Sequence, residues 1–333
     1  MKRIGFAFLA CLFCGTFLRA QQAEQPQPRR PVHTYSIVAR DPATGEFGVA
    51  VQSHWFSVGA IVSWAEAGVG AVATQSFVEP SYGPLGLALM RAGRSAPEAL
   101  AGLLAADEGR EVRQVAMIDA QGRVAAHTGK RCIPAAGQQV GKNFSAQANL
   151  MDRDTVWPAM ARAFDSASGD LTEKLLTALE AAEREGGDIR GRQSAAILVV
   201  PGKSTGRPWA DRVVDLRVED HPDPLVELRR LVTVHRAYQH MNEGDLCAEK
   251  KDWVCAAREY GAAEKILPQQ MEVVFWHAVT LVTSGRVEES LPLFKKVFAR
   301  EPRWAELVGR LPAAELLPAD PKLLDRIRAE RSP

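Results

Sequence analysis

His33-Thr34-Tyr35-Ser36-Ile37-Val38-Ala39-Arg40, followed by Asp41-Pro42-Ala43-Thr44-Gly45 and then Glu46 to Ser53, is the stretch on which the fold turns. Both arms are rich in Val, Ile, Tyr and Phe, which favour strands. Asp-Pro with a glycine shortly after it makes a turn. A turn centred near Ala43-Thr44 pairs Arg40 with Phe47, Val38 with Val49, Ser36 with Val51 and Thr34 with Ser53. Side chains alternate along a strand, so Thr34, Ser36 and Ser53 are predicted to project from one face near one end of the hairpin.

Outward from the hairpin, the chain before Thr34 has the look of a targeting segment. Lys2-Arg3 is followed by an apolar run, Ile4 to Leu18, and by Leu18-Arg19-Ala20 as a cleavage site. Residues 1–20 are therefore expected to be a signal peptide, and the protein to be exported to a periplasm or secreted. A retained N-terminal anchor is the plain alternative. Residues 21–33 begin QQAEQPQPRRP, a polar, proline-rich stretch expected to be a flexible leader. Cys11 and Cys14 fall inside the apolar run. Cys132, Cys247 and Cys255 remain, an odd number; Cys247 and Cys255 are either a disulfide or two reduced thiols.

After the hairpin, Ala67 to Phe77 suits a strand buried on both faces. Two helices follow, Leu85 to Arg91 and a second that starts at the capping-box spacing Ser95-Ala96-Pro97-Glu98 and runs through Ala106. Gln114 to Asp119 and Arg123 to His127 form a second hairpin, and Phe144 to Leu150 another strand. Helices are expected over Asp154 to Phe164 and Leu171 to Arg184. Ser194 to Val200 and Arg212 to Val218 are strands. This order predicts an α+β layered domain over residues 34–224, with helices outside packed sheets.

From residue 225 to 333 the pattern is helical. Pro302 follows Pro268 by 34 residues, and Tyr260, Ala256 and Ala263 find counterparts in Phe294, Ser290 and Val297. Asp252 to Pro268 resembles the second helix of a tetratricopeptide repeat. Pro292 interrupts the second copy. Two repeats are fewer than a freestanding array needs, so they are expected to pack on the first domain or on a protein partner.

The first domain resembles a bacterial family catalogued as domain of unknown function 1028. The resemblance rests on TYSIVARDPATGEFGVAVQS (34–53), GVGAVATQSFVEPSYGPLGL (68–87), AAHTG (125–129), RGRQSAAILVV (190–200) and VDLRVEDHPDP (214–224). It implies a fold similar to the N-terminal nucleophile (Ntn) hydrolases, a four-layer αββα sandwich. The fold class expected for the chain is thus α+β, an Ntn-hydrolase-like sandwich followed by a small all-α tetratricopeptide-like domain. Enzymes of that kind attack an amide with the side chain of the first residue of the mature chain, whose freed α-amine serves as base. An α-amine titrates near 8, close enough to neutrality to accept a proton.

Thr34 begins a strand, as such a nucleophile must, and becomes N-terminal if the chain is cut after His33. Signal cleavage after Ala20 would leave thirteen further residues. Ser36 is a weaker candidate, because cutting before it removes part of the strand. Ser53 either orients Thr34 or is an ordinary ladder hydroxyl. His127 ends a strand where it either polarises a substrate or is structural; Cys132 nearby is either reactive or a packed thiol. Arg192 either forks to a substrate carboxylate or joins a structural ion pair, as does Asp188 with Arg190 or Arg192. Gln147 and Asn149 share a strand face where an amide could assist an oxyanion; the plain reading is a satisfied polar core.

The formal net charge of +1, with no basic stripe, argues against a nucleic-acid binder. No His-Glu-x-x-His or paired Cys-x-x-Cys is present, and Gly68 to Gly70 lacks the Gly-Lys-Ser/Thr of a phosphate loop, so neither metal nor nucleotide cofactor is expected. The expectation is an exported amide hydrolase acting on a small or peptide-like substrate, with Thr34 and Ser53 catalytic and His127, Asn149 and Arg192 binding substrate. The rival is a non-catalytic binding or scaffold protein on the same fold. Either form is compatible with a homodimer.

Overall fold

The computed structural model describes residues 32–331. The expected signal peptide, Cys11 and Cys14, and most of the expected leader lie outside them. In chain order the strands are β1 Thr34–Arg40, β2 Phe47–Ser53, β3 Ser63–Glu66, β4 Gly70–Ser76, β5 Arg113–Asp119, β6 Val124–Thr128, β7 Gly137–Gly141, β8 Phe144–Ala148, β9 Ser194–Val200 and β10 Val214–Val218. The helices are α1 Gly59–Val62, α2 Tyr82–Arg91, α3 Ala96–Ala106, α4 Val156–Ser166, α5 Leu171–Arg184, α6 Pro224–Glu249, α7 Trp253–Ile266, α8 Met271–Thr283, α9 Val287–Arg300, α10 Trp304–Val308 and α11 Pro321–Arg328.

The turn of the first hairpin follows from its residues. The Asp41 side chain accepts from the amides of Ala43 and Thr44, and Gly45 N–H donates back to the Asp41 carbonyl. Gly45 sits at φ +79°, a left-handed conformation in which a side chain is strained. With the turn fixed there, Arg40 pairs Phe47, Val38 pairs Val49, Ser36 pairs Val51 and Thr34 pairs Ser53, the register the sequence predicts.

Two antiparallel sheets result, one of six strands in the order β10-β9-β2-β1-β8-β7 and one of four in the order β3-β4-β5-β6. Val38, Val49, Val51 and Leu198 of the larger sheet pack with Ala71, Ala73, Ala116 and Ile118 of the smaller. The other face of the larger sheet, through Ile37, Ala50, Ile197 and Val199, packs on α4, α5 and the start of α6. The outer face of the smaller sheet, through Val72, Val115 and Met117, packs on α2 and α3. β1 and β2 are buried along nearly their whole length, as central strands covered on both sides must be. The Ser95–Glu98 capping box at the start of α3 is formed in both directions.

The sequence reading misses β3 and β7, both short. Val32 and His33 depart from the flexible leader expected through residue 33. Val32 is 1% exposed, and its amide and carbonyl both pair with Ser76 of the smaller sheet, so the chain enters the fold one strand-step before β1. Once two backbone groups are paired and an apolar side chain is buried, the segment is structural.

The helical region shares a core with the sheets at its start: Leu225, Leu228 and Val232 of α6 belong to the apolar cluster on the outer face of the larger sheet. Beyond it, α7 and α9 start and end 34 positions apart, and Tyr260, Ala256 and Ala263 are buried like their counterparts Phe294, Ser290 and Val297. Cys247 and Cys255 are joined in a disulfide, while Cys132 is a buried free thiol.

Candidate active site at Thr34

Alternation along β1 sends Thr34 and Ser36 toward the space between the sheets, and the hairpin register brings Ser53 beside Thr34. Thr34 Oγ1 lies 2.9 Å from the Val32 carbonyl and 3.2 Å from Ser53 Oγ. Ser53 Oγ in turn donates in a short hydrogen bond to the His33 carbonyl. Arg190 Nη2 donates to the same carbonyl at 2.9 Å. That carbonyl belongs to the peptide bond preceding Thr34, so the hydroxyl of Thr34 sits next to an amide whose oxygen already has two donors.

Arg190 is held by Asp188 through Nε at 3.0 Å and Nη2 at 2.7 Å, a planar two-point clamp. The Asp188 side chain is fully buried and also accepts from the backbone amides of Arg190 and His54. A buried carboxylate with this many donors is satisfied, and it holds the guanidinium in one orientation.

On the far side, Asn149 holds the segment from below. Its Oδ1 lies 2.8 Å from His33 Nδ1, its Nδ2 donates to Gln114 Oε1 at 2.9 Å, and its backbone amide donates to the Thr34 carbonyl at 3.1 Å. Gln75 Nε2 donates both to the Thr34 carbonyl at 3.2 Å and to Gln114 Oε1 at 2.7 Å. Ser36, Gln75 and Gln147 continue the network through the space between the sheets. Burial lowers the pKa of His33, against a smaller opposing effect from Asn149, and so favours the neutral ring.

Of the expected site residues, the fold brings Thr34, Ser53 and Asn149 together and leaves His127 and Arg192 apart. His127 pairs in register with Val115, whose side chain faces the helices, and its Nε2 lies 2.8 Å from the Arg110 carbonyl. Strand alternation thus turns His127 away from the inter-sheet space, and it is the next residue, Thr128, that bonds Gln114 at 2.8 Å. Arg192 bridges Glu183 at the end of α5 and Asp223 at the start of α6, a structural ion pair. Arg190, two positions earlier, occupies the place expected of Arg192.

Gln75 and Gln114 escaped the sequence reading. Their signal was a polar side chain interrupting an otherwise apolar buried strand. Cys132 is packed, with Sγ donating to the Arg113 carbonyl at 3.3 Å, and burial pushes its thiol pKa up, against the demands of a nucleophile.

No curated protein matches the chain. The crystal structure of protein SPO2555 from Silicibacter pomeroyi, of family DUF1028, is similar to it, with a TM-score of 0.54 and 31% identity over 60% of this chain and 88% of that chain. Residues 34–228, which hold both sheets, match the family described as "Family of unknown function (DUF1028)". The chain belongs to that family.

Proposed function

We propose that the protein is an exported amide hydrolase of the Ntn type, made active by cleavage of its own chain between His33 and Thr34. The layering of helices, two facing antiparallel sheets and helices supports the Ntn-hydrolase-like reading of the fold. The observation that carries the activity is the His33 carbonyl, with Ser53 Oγ and Arg190 Nη2 as its donors and Thr34 Oγ1 alongside. Donors fixed where negative charge develops are the largest contribution to acyl transfer in most such sites.

Thr34 Oγ attacks the His33 carbonyl carbon and gives up its proton, while Ser53 and Arg190 hold the oxyanion. The carbon–nitrogen bond breaks, the proton goes to the leaving nitrogen, and His33 is left as an ester on Thr34 Oγ. Water hydrolyses the ester. The products are a His33 carboxylate and a Thr34 with a free α-amine. In later turnovers that amine takes the proton from Thr34 Oγ, and the same donors receive the carbonyl of an external amide in a small or peptide-like substrate.

The 34-residue offset between α7 and α9 supports the tetratricopeptide-like reading of the helical region, which would serve as an interaction module for a protein partner. A second reading, a binding or scaffold protein that keeps its leader, has one observation in its favour: Val32 and His33 cover Thr34 and are bonded into both sheets.

One experiment separates the two. The exported protein is purified from its own compartment and its intact mass is measured, beside a Thr34→Ala variant. The hydrolase reading expects a species beginning at Thr34 in the wild type and an uncut chain in the variant. A wild-type chain that retains His33 and hydrolyses no member of a broad amide panel decides for the binding protein.

A further inference from the structure

A pocket in the helical region shares no residue with the network around Thr34. Tyr238, Met241, Asn242, Asp245, Ala248 and Glu249 recur along α6 at three- and four-residue spacings and so present one face. Glu272, Trp276 and Thr280 do the same on α8, and Trp253 and Tyr260 come from α7; together they enclose about 680 Å³. Gly244 makes the wall: a Cβ there would come within 2.6 Å of the Tyr260 ring, so only glycine lets that ring lie against α6. The Cys247–Cys255 disulfide ties the end of α6, which carries Glu249, to the first turn of α7, which carries Trp253.

Four aromatic side chains and three carboxylates face this space. Among the described residues that line it there is no lysine, arginine or histidine. Two of the carboxylates are oriented by phenols: Tyr238 donates to Glu272 at 2.6 Å, and Tyr260 donates to Asp245. Both phenol pKa values are raised, that of Tyr238 chiefly by the bond to Glu272 and that of Tyr260 chiefly by burial, so both stay neutral donors and leave the negative charge of the site in place.

We propose that this pocket binds an organic cation, a guanidinium or ammonium group carried on an apolar stem. Ring faces and carboxylates attract such a head group, and Met241, Ala248 and Val279 suit the stem. A neutral apolar ligand would offer Asp245, Glu249 and Glu272 no countercharge, and an anion would be repelled. Among the described residues no group of three or more His, Cys, Asp or Glu is placed to hold a metal ion, which leaves the organic cation. Tyr238 to Glu249 span about 16 Å of helix, room for a stem of several carbons or a short peptide.

The test is calorimetric titration of the full-length protein with two cationic probes, agmatine and acetyl-Arg-Leu-Arg amide, and with the uncharged acetyl-Cit-Leu-Cit amide, in which citrulline replaces arginine. At least one cationic probe is expected to bind saturably, at least tenfold more tightly than the citrulline peptide. Whichever of the two binds tighter tells whether the cation is a free amine or a peptide side chain. The triple variant Asp245→Asn, Glu249→Gln, Glu272→Gln is expected to lose at least tenfold in affinity. Should it misfold, Glu249→Arg alone places a like charge at an exposed rim position and should show the same loss. Failure of both cationic probes to bind folded protein, equal binding of the citrulline peptide, or unchanged affinity in the folded variants overturns the proposal. None of these outcomes depends on cleavage before Thr34.

Discussion

Arg190 donates to the His33 carbonyl across 157 positions of sequence, at 2.9 Å. The contact is set by Asp188, which fixes the guanidinium plane, and it places a full positive charge on the one carbonyl that self-cleavage would attack. Arg190→Lys keeps the charge and loses the fork, so it should slow appearance of the Thr34 terminus by about 10²–10³-fold. A time course of intact mass checks this; an unchanged rate would remove Arg190 from the mechanism.

Ser53→Ala removes the second donor. Because the Ser53 hydroxyl is buried and bonded at both ends, its loss should cost about 1–2 kcal/mol of stability and slow cleavage by a similar factor. Chemical denaturation gives the first number and intact mass the second. A variant that is destabilised yet cleaves at the wild-type rate would make Ser53 a ladder hydroxyl only.

The parts of this site that could be read in advance are those set by short-range rules. Asp41-Pro42 and Gly45 fix the turn, the turn fixes the register, and the register puts Ser53 beside Thr34. His127 and Arg192 lie outside the site because a strand end or a loop does not say which of two neighbouring side chains faces inward. A shift of one residue, from His127 to Thr128, or of two, from Arg192 to Arg190, changes the face or the partner. Gln75 and Gln114 come from strands of the second sheet, and their meeting with Asn149 depends on how the sheets stack, which no local pattern carries.

Burial of His33 ties the stability of the fold to pH. Its pKa in the folded chain is lowered, mainly by burial, so between that value and the ordinary 6.5 the unfolded chain binds a proton that the folded chain does not. Stability therefore falls as pH drops through that window and is fully present above it. In an uncut Thr34→Ala background, the drop in melting temperature from pH 7.5 to 5 should be smaller when His33 is also changed to Asn. Calorimetry at the two pH values measures it; equal drops would mean that His33 does not titrate differently on folding.

The Cys247–Cys255 bond closes a short loop between α6 and α7. In the chain-entropy account a loop of this length stabilises by about 2–3 kcal/mol. Reduction should therefore loosen the helical region. Hydrogen exchange should rise across α6 from Tyr238 onward and across α7, while β1 and β2 stay protected. Uniform exchange before and after reduction would contradict it.

Leu225, Leu228 and Val232 are 7%, 0% and 2% exposed and lie in the cluster beneath the larger sheet. On the same helix Arg229 pairs with Glu173 and Glu180, and Arg236 with Asp170 and Glu173, all on or next to α5. A chain ending at Asp223 loses all of this and exposes the outer face of β9 and β10 where α6 lay. Each of the three apolar side chains contributes about 1.5–3 kcal/mol by burial, so the loss is on the order of 5 kcal/mol. The surface ion pairs add little to that figure. A chain ending at His240 keeps the three residues and both arginines. It should fold and melt cooperatively, whereas the chain ending at Asp223 should melt at least 10 °C lower or fail to fold. Near-equal melting temperatures for the two would show that α6 rests on the sheet without stabilising it.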